Sequence, residues 1–150
     1  MRKRGKILPP TYFLSGIVLT LLIHFLIPFI QIIEYPFNLL GLIPLIISGI
    51  LNIAADNALK KFNTTVKPFE ASTALVTTGV YRISRNPMYL GMFLFILGES
   101  IILGSIGSFV IPILFIIVIN KRFISTEEKM LASEFREKYL SYCKVVRRWI

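Results

Sequence analysis

Long apolar blocks, separated by polar or turn-forming connections, set the pattern of this chain. The first block covers residues 11–33, the second 37–55, and a further apolar stretch runs over 88–119. A helix needs about 20 apolar residues to cross a bilayer, so 11–33 and 37–55 are predicted as spans. The stretch 88–119 is broken by Gly98-Glu99-Ser100 and by Gly104-Ser105-Ile106-Gly107-Ser108. It reads as a helical hairpin with arms 88–103 and 106–119, each roughly 22 Å long, which is short for a full crossing.

Between the second and third blocks, residues 56–86 form the longest polar connection. Asn63-Thr64-Thr65, Pro68, Thr77-Thr78-Gly79 and Asn86-Pro87 favour turns, so irregular backbone is expected. Phe62, Val66, Phe69, Leu75, Val76 and Tyr81 are interspersed with them, which argues against disorder and for a loop that folds back on the membrane part. After Lys121-Arg122, the spacing of Leu131, Phe135, Tyr139 and Tyr142 predicts an amphipathic helix over 126–142. The expected fold is an all-α membrane protein with about four transmembrane helices, the last two a hairpin, plus a cytosolic amphipathic C-terminal helix. Residues 1–150 read as one domain. No internal repeat is visible.

Composition supports this reading. The chain is 55% hydrophobic with a mean hydropathy of +0.71, too apolar for a soluble domain of this size. Its net charge of +9 could point to nucleic acid, but the placement of the charges argues otherwise. All 17 Lys and Arg fall at 2–6, 60–85 and 121–148, always on alternate sides of apolar blocks. They can therefore share one face, as expected for the cytosolic side of an integral protein of the plasma (inner) membrane with both termini cytosolic. The partner implied is the bilayer, with no nucleic acid. The charged start, Arg2 to Lys6, precedes an apolar run too long for a cleavable signal peptide, so an uncleaved first span is expected. The single Cys143 excludes an intramolecular disulfide. One Cys and one His24 leave no basis for a metal site. His24 is read as a helix-to-helix hydrogen-bonding residue. Glu99 is read as reaching the far interface or as a buried carboxylate.

Two segments carry a family resemblance. One is Leu75-Val76-Thr77-Thr78-Gly79-Val80-Tyr81-Arg82-Ile83-Ser84-Arg85-Asn86-Pro87-Met88-Tyr89-Leu90-Gly91; the other is Glu127-Glu128 followed by Phe135, Tyr139, Tyr142, Val146, Arg148 and Trp149. Together they resemble the isoprenylcysteine carboxyl methyltransferase family, related to the phospholipid methyltransferases, over about the last 90 residues. The resemblance implies an S-adenosylmethionine-dependent membrane methyltransferase whose cofactor pocket opens to the cytosol. A lipidic or prenylated acceptor would enter from the bilayer. By position it places cofactor contacts at Lys67, Thr73, Ala74, Leu75, Val76, Tyr81, Asn86, Pro87, Met88, Tyr89 and Glu127. Eukaryotic members have His where this chain has Asn86. Arg147 stands where the family usually has Pro, and the extra spans of larger members are absent.

The same residues suit that chemistry. Methyl transfer from a sulfonium needs positioning, desolvation and charge handling. Pro87 begins the third helix, whose N-terminus would present unpaired N–H groups and partial positive charge to the pocket. Arg85 adds a full charge, and Tyr81 and Tyr89 add aromatic faces or hydroxyls. Glu127 offers a carboxylate for an ammonium or for ribose hydroxyls, with Glu128 turned outward. Arg122 and Lys121 could steer an acceptor carboxylate. Arg85, Glu127 and Arg122 are thus the candidate catalytic residues. No general base is evident, which favours a carboxylate acceptor such as an isoprenylcysteine-like group, because it is already ionised at neutral pH. Simpler readings stand beside these. The arginines could bind lipid phosphate, the tyrosines could form an interfacial belt, and the Glu pair could cap a helix. Two alternative functions therefore stay open: an NADPH-dependent sterol-reductase-like enzyme, and a non-catalytic lipid-binding membrane protein.

Overall fold

The computed structural model describes residues 8–27, 30–64 and 73–150. Five α-helices order the chain: α1 (Pro9–Leu26), α2 (Leu42–Lys61), α3 (Pro87–Leu103), α4 (Val110–Ile119) and α5 (Ser125–Val145). Three continuous helical stretches are long and apolar enough to cross a membrane, namely Pro9–Leu26, Phe37–Lys61 and Ile106–Val145; α3 is a shorter apolar helix. Among the described residues there is no strand, only an isolated bridge between Gln31 and Ser105.

The first helix is shorter than the 11–33 span read from the sequence. It stops at Leu26, and Ile27 turns extended (φ −117°, ψ 118°). Ile27 precedes Pro28, and a residue before proline is pushed out of the helical region. Residues 30–36 instead form a connector laid against the end of α3. A short 3₁₀ turn, Phe37–Gly41, leads into α2, and α2 itself continues to Lys61, beyond the expected start of the 56–86 loop. A 3₁₀ turn likewise precedes α4.

The largest difference lies at the C-terminal side. No break separates α4 from α5: a π-type turn over Asn120–Ile124 joins them, and Ser125 donates its hydroxyl to the Asn120 carbonyl at 2.8 Å. The predicted separate helix 126–142 is therefore the continuation of the last apolar helix. It bends at Arg136, whose φ of 43° departs from helical geometry. Tyr139 beyond the bend is buried, while Leu131, Phe135 and Tyr142 are half-buried.

Two cores hold these elements. Tyr89, Ile96, Ile111, Phe115, Ile119, Phe123 and Ile124 join α3 to α4 and to the π turn, with Tyr12, Phe13 and Ile17 of α1 and Trp149 against them. Ala55, Val76 and Tyr81 form a second cluster beneath the loop before α3, with Met88 packed on it. α3 is the central helix, and small residues let its neighbours approach. A Cβ on Gly41 would sit 2.4 Å from the Gly98 carbonyl, and one on Gly91 would sit 2.2 Å from the Asn52 amide. Such contacts drive helix association in lipid, where apolar burial alone gives no advantage. The outer faces are large and apolar, with Phe25, Leu26, Ile46, Ile50 and Ile53 all more than 60% exposed. In water that would be an aggregating surface; against acyl chains it is the solvated one.

Backbone polarity at the end of α3 is met internally, as hydrocarbon requires. Gln31 donates to the Leu103 carbonyl (2.8 Å) and Asn38 to that of Ile102 (3.1 Å), while Ile32 and Ile33 donate to Gly104. Ser100 and Ser108 donate to each other's carbonyls at 2.9 and 3.1 Å, closing the α3–α4 turn. His24 meets the Ser105 hydroxyl at 2.9 Å; its partner lies in the extended connection after α3, not on a second helix as expected.

Candidate active site

The loop before α3, the first turn of α3, the start of α5 and the C-terminal tail converge at the basic end of the molecule. Gly79 takes a left-handed conformation (φ 61°) and opens a 3₁₀ turn, Gly79–Arg82, that buries Tyr81. Pro87 then starts α3 with no side chain capping its N-terminus, so the N–H groups of that turn keep their donor capacity.

Tyr89, in this first turn, donates its hydroxyl to Glu127 Oε1 at 2.7 Å. That bond joins the two segments singled out in the sequence. Beside it, Glu128 accepts from Arg148 Nε at 3.1 Å and Nη2 at 2.5 Å, and pairs with Arg85 Nη2 at 3.1 Å. Glu128 therefore does not face outward, as the sequence reading had it. Its carboxylate is held between two guanidiniums with only 16% of the side chain exposed. The correction follows from the tail, which folds back so that Arg148 reaches the start of α5. Ser84 and Asn86 side chains donate to the Arg148 carbonyl, and the Arg85 amide donates to that of Arg147.

Arg85 is likewise not a free cation. Nη2 pairs with Glu128 and Nη1 donates to Cys143 Sγ, while Nε is buried without a partner among the described residues. Tyr142 donates to the Tyr81 carbonyl. Burial, with Tyr142 and Glu127 nearby, raises the Tyr81 phenol above its ordinary range. The hydrogen bond to Glu128 raises the Arg148 guanidinium above its own.

Of the residues proposed from the sequence, Tyr81, Arg85, Asn86, Pro87, Met88, Tyr89 and Glu127 are brought together here. Ala74 and Leu75 are half-buried and Val76 is buried in the adjoining cluster, whereas Thr73 is exposed and donates to the Asn63 carbonyl. Arg122 is exposed on the π turn, with no ion pair among the described residues. Lys67 lies outside the described residues. Two contributors were missed in the sequence. Cys143 was read only as excluding a disulfide and a metal site, although it lies four residues from Tyr139 on the same helix face. The Glu128–Arg148 pair is separated by 20 residues, which no helical spacing would flag.

Lipid-exposed helices around a single charged, tyrosine-lined end define an all-α integral-membrane protein. Residues 36–138 match the phospholipid methyltransferase family model, and the chain belongs to that family. It is 43% identical over 75 residues to the protein-S-isoprenylcysteine O-methyltransferase of Schizosaccharomyces pombe, a match covering 48% of this chain and 30% of that protein. It is 33% identical over 111 residues to protein-S-isoprenylcysteine O-methyltransferase A of Arabidopsis thaliana, covering 71% and 55%. Among solved structures it resembles the eukaryotic intramembrane Ras methyltransferase ICMT (isoprenylcysteine carboxyl methyltransferase). That match has a TM-score of 0.68 and 26% identity, and covers 94% of this chain and 51% of the other. The chain thus spans about half or less of these relatives, and the family resemblance read from 75–91 and 127–149 is borne out.

Proposed function

We propose that this chain is a membrane methyltransferase that takes its methyl group from S-adenosylmethionine. Its acceptor would be lipidic or lipid-linked, a carboxylate of the isoprenylcysteine kind. The observation that carries the reading is the Tyr89–Glu127 bond, which sets a carboxylate against the uncapped start of α3. Kinship with isoprenylcysteine O-methyltransferases supports it.

The residues present fit the cofactor's charges. Glu127 has one oxygen engaged by Tyr89, leaving the other for an ammonium or ribose hydroxyls. The free N–H groups at the start of α3 suit a carboxylate. Arg85 Nε is a buried donor in want of an acceptor. Bound S-adenosylmethionine supplies an electrophilic methyl group on a sulfonium. Around it, Ala74, Leu75, Val76, Tyr81, Asn86, Pro87 and Met88 would wall off water, and Thr73 would close the outer edge. Arg85 Nε would meet the cofactor's own carboxylate, and exposed Arg122 would guide the approach of the acceptor. No base is needed for an acceptor already ionised at neutral pH. This end would face the cytosol, as the one-sided run of Lys and Arg favours, and the membrane would be the plasma (inner) membrane.

The test is transfer of labelled methyl from S-adenosylmethionine to an S-farnesylated cysteine carboxylate by the protein in nanodiscs. A methyl ester is cleaved by alkali, so the label should leave as methanol. Label that survives alkali would reassign the acceptor to an amine, and no transfer to any lipidic acceptor would remove the methyltransferase reading.

A further inference from the structure

The end of the membrane part opposite the basic face holds hydrogen-bond acceptors without donors. Glu99, near the end of α3, has its Oε2 shut away with no partner among the described residues; so has Asn38 Oδ1. Both belong to the same end of α3, since Asn38 donates its Nδ2 to the Ile102 carbonyl, less than one turn of the helix beyond Glu99. The side-chain donors around them are already engaged. Gln31 serves the carbonyls of Leu103 and Ile33, Ser100 those of Ile96 and Ser108, and Ser108 those of Ser100 and Ser105.

Nor do the described residues supply a cation there. Residues 8–59 and 86–120 contain no Lys or Arg, yet Glu34 and Glu99 fall within them. A carboxylate left unpaired at membrane depth is costly and marks function more often than structure. Two orphan acceptor oxygens in a region of negative charge call for a donor that is itself positive. A primary ammonium answers both needs, whereas a quaternary ammonium has no N–H to give. The approach is lateral: α1 and α2 each pack on α3 rather than closely on one another, so lipid can reach α3 through the seam between them. Glu99 shares that flank of α3 with Phe95, whose ring meets Phe13 of α1 edge-on at 5.3 Å.

We infer that Glu99 and Asn38 form a binding site for the primary-ammonium headgroup of a membrane lipid, on the face opposite the basic one. It is separate from the proposed methyl-transfer site, since ten residues of α3 rise about 15 Å between Tyr89 and Glu99. It does not depend on that reading. The protein would be placed in nanodiscs holding equal ethanolamine and choline lipids with the same acyl chains, and its retained lipids counted by native mass spectrometry. The expected result is retention of the ethanolamine lipid about tenfold over choline, a difference of about 1.4 kcal/mol. Glu99→Gln, nearly identical in shape, should bring the ratio to parity, while the exposed Glu34→Gln keeps it. No preference in the unaltered protein, or a preference surviving Glu99→Gln, would overturn the inference. Displacement of the retained lipid by soluble phosphoethanolamine at equal concentration would overturn the assignment to a lipid.

Discussion

The Tyr89 hydroxyl meets Glu127 at 2.7 Å, binding the first turn of α3 to the start of α5. Both groups lie where charge is expensive to leave unpaired. Tyr89→Phe should therefore destabilise the protein by about 1–3 kcal/mol, the cost of stranding a buried carboxylate. Glu127→Gln, which keeps an acceptor, should cost less. A double-mutant cycle on reversible detergent unfolding measures the coupling, and a coupling near zero would mean the bond is not formed.

Glu128 sits between Arg85 and Arg148, and its removal leaves two cations together. Glu128→Gln should cost about 2 kcal/mol or more, because the Arg85–Glu128 pair is mostly buried. Arg148→Ala should cost under about 1 kcal/mol, since Arg148 is 41% exposed and Arg85 still pairs with Glu128. Equal losses for the two variants would contradict this ordering.

The glycines of α2 and its approach differ sharply. Gly41→Ala drives a methyl group into the Gly98 carbonyl and should prevent close packing of α2 on α3, at a cost of about 1–3 kcal/mol or outright misfolding. Gly49 has nothing within 4 Å of an added Cβ, so Gly49→Ala should be neutral or slightly stabilising. Thermal unfolding of both variants in one detergent decides the matter.

Tyr81 gives a pH signature. Its folded pKa is raised above the unfolded value of 10.0, chiefly by burial. Its stabilising contribution is thus complete below about pH 10 and is lost as pH climbs through the higher folded value. Stability should fall above pH 10, and Tyr81→Phe should flatten that fall. A steep alkaline loss unchanged in Tyr81→Phe would place the titrating group elsewhere.

Much of the fold was legible because lipid imposes simple rules. Apolar length located the helices, and the Lys and Arg positions assigned one end as basic. Pro87 marked the start of α3. What escaped depended on tertiary return. The tail's Arg148 reaches Glu128 only because its carbonyl is held by Ser84 and Asn86, a contact no local pattern announces. The π turn at Asn120–Ile124 was hidden for another reason: Lys121-Arg122 looks like the end of a span, yet a helix can carry charge through that point without breaking. The first helix erred the other way, since apolar content continues past Leu26 while Pro28 disfavours helix in the residue before it.

The most direct test is calorimetric titration of S-adenosylmethionine into the purified protein in nanodiscs, with Glu127→Gln and Arg85→Ala alongside and helicity checked for each. Saturable binding by the unaltered protein, weakened tenfold or more in both variants, is the expected result. Absence of binding by well-folded protein, or binding that neither variant weakens, would contradict a cofactor site at the meeting of α3 and α5.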